Sequence, residues 1–143
     1  MDQESTNNTP GTEWPTGPIV SHPKPFVDER GEIQSLFEGP ITAAQIITSK
    51  AGSVRANHYH KTDWHYCHML SGSMRYYHRP VGSKEAPQWV LVKEGQGIFT
   101  PPDVEHAMEF IEDSAFLNLT HNTREQENYE SDLVRVELIK AEK

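Results

Sequence analysis

The sequence predicts an all-β domain, a β-sandwich or barrel assembled from many short strands. Apolar runs such as Trp89-Val-Leu-Val92 are rich in strand-forming residues, and turn residues such as Ser71-Gly72 and Glu94-Gly95 separate them. The runs recur at intervals of roughly ten residues, which is typical of sandwiches and barrels. No stretch has the long, capped 3.6-residue period of a helix, and only residues 123–131 could hold a short one.

The strands can be assigned in chain order. Phe26-Val27 and the run 33–37 flank the turn residues Asp28-Glu-Arg-Gly31 and predict a hairpin. Further strands are predicted over residues 44–48, 54–60, 66–70, 74–78, 89–92, 97–100, 107–111, 115–119 and 133–139. The first 23 residues are rich in Asn, Thr, Pro and Gly, so they predict a flexible tail before a single domain of residues 24–143.

Composition narrows the function classes. The formal net charge of -8 argues against nucleic acid as a partner, because phosphate binding needs a basic surface. No apolar run reaches the length of a membrane span, and the first residues lack the apolar core of a secretory signal. The single cysteine, Cys67, excludes an intrachain disulfide, so we expect a cytoplasmic protein without membrane partners.

Four histidines have spacings that allow them to converge. On a strand His58 and His60 point to the same face, and His65 follows a predicted turn at residues 61–63. A sheet that curls on itself can bring His106 beside them. Neutral imidazole is a common ligand of nickel, iron, zinc and copper. The sequence therefore predicts a divalent transition metal bound by His58, His60, His65 and His106, without choosing among these metals.

A metal-free interpretation remains open at this point. The histidines could instead line a polar barrel lumen and hydrogen-bond one another or a substrate. An imidazole bound to a metal cannot also act as a general base. If His65 does not bind metal, His58 or His60 stays free to abstract a proton next to a carbonyl.

The histidine segments resemble the two motifs of the cupins, which are small jelly-roll β-barrels. The first motif reads Gly52, five residues, His58-Tyr-His60, four residues, His65, six residues, Gly72, with His65 in place of the usual Glu. The second reads Gly95, five residues, Pro101-Pro-Asp103, two residues, His106, with Asp103 in place of a glycine. Asp tolerates the turn conformation that this glycine adopts. The resemblance implies a single-domain cupin jelly-roll barrel.

A narrower resemblance covers most of residues 26–139. Arg55-Ala-Asn-His-Tyr-His-Lys61 is similar to the Arg-Gly-x-His-Ala-His-Lys segment of the cupins that act as nucleotide-sugar 3,4-ketoisomerases, with the 3,5-epimerases as more distant relatives. The resemblance implies that His58 and His60 are catalytic and move protons through an enediol without a metal. It also implies that Arg55 and Lys61 bind the nucleotide sugar, and that the protein is a homodimer. Ala56 departs from the pattern, as does His65, where the isomerases tend to carry Gln.

Three functions follow as hypotheses. The first is a metal-binding isomerase or epimerase that acts on a nucleotide-linked keto-sugar by proton transfer next to the carbonyl. The alternatives are a metal-dependent cupin dioxygenase and a non-catalytic small-molecule-binding cupin. Tyr76 and Tyr77 alternate faces, and we expect Tyr76 to line the lumen and contact the substrate.

Other polar side chains receive weaker expectations. His68 and His78 are expected outside the cluster, and His22 and His121 are expected to be solvated. Asp63, Glu105 and Glu109 are candidates for orienting the imidazoles.

Overall fold

Eleven β-strands form the framework of the protein in a computed structural model, which describes residues 17–122 and 131–140. Along most of these strands, inward-facing and outward-facing side chains alternate. The strands are β1 (Phe26–Asp28), β2 (Gly31–Ile33), β3 (Ala43–Ser49), β4 (Val54–His60), β5 (His65–Ser71), β6 (Ser73–Pro80), β7 (Gln88–Lys93), β8 (Gly97–Thr100), β9 (Val104–Phe110), β10 (Ser114–Thr120) and β11 (Leu133–Arg135).

The strands form two main antiparallel sheets and a separate hairpin. One sheet has four strands in the order β3-β10-β5-β8, the other has five in the order β11-β4-β9-β6-β7, and β1 pairs only with β2. The all-β prediction is confirmed, and strands lie at the predicted positions from residue 44 to residue 119. The predicted hairpin is present, but its second strand is Gly31–Ile33 and not residues 33–37, because Gly31 already pairs with Asp28. The short helix predicted over residues 123–131 falls almost entirely outside the described residues. The described part of the chain contains no helix long and apolar enough to cross a bilayer.

The main apolar core lies between the two sheets. It consists of nine buried side chains: Cys67, Met69, Met74, Tyr76, Val92, Ile98, Met108, Phe110 and Phe116. They come from strands of both sheets, so burying them holds the two layers together. This core fills one part of the space between the sheets and leaves the rest to polar side chains.

A second apolar cluster covers the outer face of the four-stranded sheet. Phe37 packs against Trp64, Tyr66 and Phe99, with ring centroids 5.1–5.9 Å apart. Trp64 is therefore a packing residue. Val20, from the segment before β1, is also buried in this cluster.

Residues 18–22, which the sequence assigned to the tail, lie along β8. The Val20 amide donates to Gly97 O at 2.8 Å, and the Phe99 amide donates to Pro18 O at 2.9 Å. His22 Nε2 lies 2.6 Å from Tyr66 Oη, so the prediction that His22 is solvated is wrong. Residues 1–16 of the predicted tail lie outside the described residues.

A bulge interrupts β4 immediately before the histidines. Ala56 and Asn57 have φ angles of 73° and 56°, and the pairing of β4 with β9 shifts between Ala56 and His58. The Asn57 side chain accepts hydrogen bonds from the amides of Leu138 and Ile139 at 3.0 and 3.1 Å. The Val136 amide still donates to Asn57 O at 3.0 Å. For residues 138 and 139 the Asn57 side chain takes the place of a strand partner, so β11 ends at Arg135 and not at 139.

Candidate functional site

A cavity of about 340 Å³ opens between the two sheets. The four-stranded sheet and the five-stranded sheet contribute five lining residues each. The lining residues are Gln45, Ile47, His65, Phe116 and Asn118 on the first side, and Arg55, Ala56, His58, His106 and Met108 on the second. Basic, amide and imidazole groups thus share the cavity with a few apolar side chains.

The structure brings the four predicted histidines together. The ring of His58 lies 4.8 Å from those of His60 and His106, and the ring of His65 lies 4.5 Å from that of His60. The potential ligand atoms of His58, His60 and His106 all lie within 4.8 Å of one another. His65 falls in a second group of the same size, formed by His60, Asp63 and His65. The two groups share His60.

Hydrogen bonds fix two of these rings. His106 Nδ1 lies 3.0 Å from Val104 O, which can only accept, so Nδ1 carries the proton and Nε2 the lone pair. His60 Nδ1 lies 2.9 Å from Asp132 Oδ2, and Thr62 holds Asp132 through its amide and its hydroxyl at 2.6 and 2.8 Å. Contacts of this kind set the tautomer and orientation of metal-binding histidines.

Burial keeps the imidazoles of His58, His60 and His106 neutral. Desolvation lowers the pKa of His106 to about 3, and that of His60 to about 4 with a further contribution from His65. Desolvation, followed by the neighbouring His106 and His60, also lowers the pKa of His58 well below its ordinary value. For Asp132, burial raises the pKa, but hydrogen bonds from Thr62 and His60 outweigh it and the pKa is lowered. Neutral rings beside an ionised carboxylate are the protonation states that metal binding requires.

Asp63 is held rigidly next to His65. Its Oδ1 accepts hydrogen bonds from the amides of Trp64, His121 and Asn122 at 2.9–3.1 Å. Its Oδ2 lies 3.5 Å from His65 Nε2. Glu105 and Glu109 instead contact Arg79 and Tyr77, so among the three predicted orienting carboxylates Asp63 is the one beside an imidazole.

Arg55 reaches the cavity because of the β4 bulge. Regular alternation would place it on the face opposite His58, and the bulge at residues 56–57 changes that parity. Arg55 Nε donates to Ser49 Oγ at 2.7 Å and Nη2 donates to Thr48 O at 2.9 Å. These contacts fix the guanidinium, and Arg55 lines both this cavity and a neighbouring opening that it shares with Thr48 and Ser49.

The other two predicted substrate-binding residues do not line the cavity. Tyr76 faces inward but is fully buried in the apolar core, and its hydroxyl lies 2.6 Å from Thr100 Oγ1. Lys61 lines a separate opening beside Thr62 and Asp132, because it follows His60 directly and points the opposite way. His78 shares the inner face with Tyr76 and stacks on it, with ring centroids 5.5 Å apart, outside the four-histidine cluster as expected.

Three residues at the site carried no role in the sequence reasoning. Asp132 is 72 positions from His60, so no local spacing links the two. Gln45 and Asn118 are single amide residues inside apolar runs. The sequence signal that could have identified them is a polar residue at a strand position whose side chain points inward.

Several solved structures have a similar fold. No family model matches the chain, and no curated protein matches it. A 3,4-ketoisomerase from Helicobacter canadensis is similar with a TM-score of 0.65 and 19% identity, over 82% of this chain and 88% of that one. QdtA, a sugar 3,4-ketoisomerase from Thermoanaerobacterium thermosaccharolyticum solved with TDP, has a TM-score of 0.62 and 19% identity, over 83% and 85%.

The fold is that of a cupin jelly roll. A third similar structure is ChmJ, a 3'-monoepimerase from Streptomyces bikiniensis solved with dTDP-quinovose, at a TM-score of 0.61 and 16% identity. It is matched over 72% of this chain, which spans 63% of its length. At such identities the likeness establishes the shared cupin architecture, and the sequence-based prediction of that architecture is confirmed.

Proposed function

We propose that this cupin isomerises or epimerises a nucleotide-linked keto-sugar by moving a proton next to the carbonyl. One observation carries the proposal: three histidines and Arg55 line the same cavity between the sheets. An imidazole that binds no metal can accept a proton from carbon, and the guanidinium can bind a diphosphate. The solved structures with similar folds include proteins named for this chemistry, which supports the substrate class.

Arg55 would bind the diphosphate. Its contacts to Ser49 and Thr48 engage Nε and Nη2 and hold the guanidinium in place before the ligand arrives. Pre-ordering of this kind lowers the conformational entropy lost on binding. Lys61 points away from the cavity, so we assign it no contact with the sugar.

The donor set of His58, His60 and His106 fits a divalent transition metal. Three imidazoles are a common ligand set for nickel, iron, zinc or copper, and the Val104 carbonyl and Asp132 carboxylate orient two of the rings. A bound metal would act as a Lewis acid that polarises the sugar carbonyl. His58 and His60 can hold a metal or carry a proton, but not both at once. We assign them to the metal.

His65 then becomes the proton carrier. It lines the cavity, lies outside the three-histidine group, and has the Asp63 carboxylate 3.5 Å from its Nε2. In the reaction the C–H bond next to the carbonyl breaks and the proton moves to His65. The electron pair of that bond forms a carbon–carbon double bond, and the keto oxygen takes the negative charge of the enolate. The nearby carboxylate stabilises the imidazolium. Delivery of the proton to the former carbonyl carbon, with transfer of the adjacent hydroxyl proton to the enolate oxygen, gives the isomer. Delivery of a solvent proton to the opposite face of the original carbon gives the epimer.

Solvent exchange tests the reaction. The purified protein is incubated in D₂O with TDP-4-keto-6-deoxyglucose, and mass spectrometry and NMR follow deuterium next to the carbonyl. We expect exchange without oxygen consumption. Absence of exchange and of any new sugar, with protein shown to bind the ligand, would contradict the proposed function.

Elemental analysis tests the assignment of roles. We expect metal in the wild type, its loss in His58→Ala and His106→Ala, and its retention in His65→Ala with exchange abolished. Loss of metal from His65→Ala would place His65 among the ligands. Absence of metal from the wild type would return proton transfer to His58 and His60.

A dioxygenase is the second candidate, favoured by the group of His60, Asp63 and His65. Two histidines and one carboxylate are the typical ligand set of non-haem iron oxygenases. Reconstitution with Fe(II) and measurement of oxygen uptake in the presence of the nucleotide sugar separates the two candidates, because the isomerase consumes none.

The homodimer remains a prediction that one surface supports. The β1–β2 hairpin exposes Phe26, Val27 and Ile33 by 61–67%, and apolar patches of this kind are typical of association sites. Sedimentation analysis of the full chain and of a Phe26→Ser/Ile33→Ser variant would show whether the hairpin joins two copies.

A further inference from the structure

Three polar side chains form a row across the inner face of the four-stranded sheet. Cys67 on β5, Asn118 on β10 and Gln45 on β3 are direct cross-strand neighbours. The Cys67 thiol donates to Asn118 Oδ1 at 3.2 Å, and Asn118 Nδ2 donates to Gln45 Oε1 at 3.3 Å. The hydrogen bonds therefore run in one direction, from the barrel interior to the edge strand.

This direction determines what the row presents to the cavity. With the Asn118 oxygen accepting from the thiol, its amide nitrogen faces Gln45. The Gln45 oxygen accepts from that nitrogen, so the Gln45 NH₂ group is turned away from Asn118. Gln45 is exposed and lines the cavity, whereas Asn118 is 4% exposed. The row thus ends in amide N–H donors at the cavity opening.

Across the cavity, the row faces two of the clustered histidines. Gln45 and Asn118 line the cavity from the four-stranded sheet, while His58 and His106 line it from the five-stranded sheet. Beside the row, Phe116 and Ile98 are apolar residues of the main core. A buried amide among such neighbours costs free energy unless it is hydrogen-bonded, and apolar side chains would fill the same row without that requirement. Stability alone therefore gives no reason for the row.

We propose that Gln45 is a substrate-binding residue whose side-chain N–H donates to the keto oxygen of the sugar, and that Asn118 is the positioning residue that orients it. This inference rests on the proposed function. When the C–H bond next to the carbonyl breaks, the electron pair moves to the keto oxygen. A donor aimed at that oxygen stabilises the developing charge, and loss of one such donor typically slows a reaction by about 100-fold or more.

Substitutions of Gln45 test the inference directly. Gln45 is exposed, so Gln45→Leu and Gln45→Glu are expected to fold. Gln45→Leu should slow deuterium exchange on the order of 100-fold and leave affinity for dTDP alone unchanged, since dTDP has no sugar keto group. Gln45→Glu replaces the donor by an acceptor and should slow exchange at least as much. Ile46→Ala, on the outer face of the same strand, is the matched control and should match the wild type.

A double-mutant cycle tests the role of Asn118. Asn118→Asp removes the donor to Gln45 and should slow exchange on the order of 10-fold in the wild-type background. If Asn118 acts through Gln45, the same substitution should have no further effect on the exchange rate in a Gln45→Leu background. A merely structural role would lower the rate equally in both. Cys67→Ser keeps a donor to Asn118 and should exchange at the wild-type rate; it serves if Asn118→Asp does not fold.

The outcomes separate this inference from the function it rests on. No exchange by the wild type overturns the proposed function and the inference with it. Wild-type exchange that survives in Gln45→Leu overturns the inference alone. A Gln45→Leu variant that loses dTDP affinity in proportion to its rate also overturns it, because Gln45 would then contact the nucleotide rather than the keto oxygen.

Discussion

The space between the two sheets has an apolar end and an imidazole end, and the same strands build both. β9 contributes His106 to one end and Phe110 to the other, and β5 contributes His65 and then Met69. Alternation places all four side chains inward. The pattern that makes a strand therefore determines which residues face inward, but not what each inward position does.

The two ends contribute opposite terms to stability. Burying one large apolar side chain stabilises the fold by about 1.5–3 kcal/mol. Burying an imidazole prevents it from taking up a proton that it would bind in the unfolded chain, and the lowered pKa values of His60 and His106 express this. The imidazole end thus lowers stability where the apolar end raises it, and the following predictions test that contrast.

Acid should destabilise the metal-free protein, and this is the largest expected effect. Below the ordinary histidine pKa of about 6.5 the unfolded state binds protons that His58, His60 and His106 do not bind when folded. The unfolded state therefore binds more protons, and the free energy of unfolding falls as pH falls, by about 2 kcal/mol for each such histidine at pH 5. The loss continues until the folded pKa values of about 4 for His60 and about 3 for His106 are reached.

Urea denaturation with EDTA between pH 7 and pH 5 measures this slope. A His106→Leu variant removes one of the three groups and should show a shallower slope. Equal stability of the wild type at pH 7 and pH 5 would mean that the imidazoles are not desolvated.

Phe110→Ala tests the apolar end. Phe110 is 1% exposed and stacks on Phe116, with ring centroids 5.9 Å apart. Its truncation should lower the free energy of unfolding by about 3–5 kcal/mol, independently of pH above 6.5, because a cavity forms in a packed core. Phe26→Ala is the control, since Phe26 is 61% exposed. Similar losses in both variants would refute the assignment of the core.

Asp132→Asn tests the contact that links the imidazole end to the loop after β4. The amide cannot orient His60 as the carboxylate does, so metal affinity should fall by about 10- to 100-fold and stability by about 1–2 kcal/mol. Metal titration and denaturation measure the two effects. Asp113→Asn is the control, because the Asp113 carboxylate accepts from the Ala51 amide at an exposed position. Unchanged metal affinity in Asp132→Asn would separate Asp132 from the site.

Ala56→Gly should give the smallest change and the opposite sign. Ala56 has a φ of 73°, which is strained for a residue with a Cβ atom. Glycine should raise the free energy of unfolding by about 1 kcal/mol, whereas Ala44→Gly in β3 should lower it by a similar or smaller amount. Thermal denaturation of both variants gives the comparison. Destabilisation by Ala56→Gly would show that the Ala56 methyl group contributes more by packing than its backbone strain costs.

Most of the fold could be predicted because strand formation is local. Turn residues and alternation located the strands from β3 to β10, and the paired glycine and histidine spacings indicated the jelly roll. The end of β11 could not be predicted, since the Asn57 side chain holds residues 138 and 139 through contacts more than 80 positions away in sequence.

The candidate site could be predicted only in part. Parity brought His58 and His60 to one face, but it could not locate Asp132 or show that Tyr76 lies beneath the cavity rather than at its wall. Arg55 reaches the cavity through the bulge at residues 56–57, which regular alternation does not predict. Long-range partners and bulges are tertiary features that spacing does not encode.

The pairing of residues 18–20 with β8 has a consequence for self-assembly. A sheet whose two outermost strands are both open can add further molecules at each side and grow into a fibre. In the four-stranded sheet, the chain's own N-terminal segment occupies the hydrogen-bonding groups of Gly97 and Phe99, so within the described residues β3 is the edge left open. A neighbouring molecule that paired with β8 would first have to displace residues 18–20.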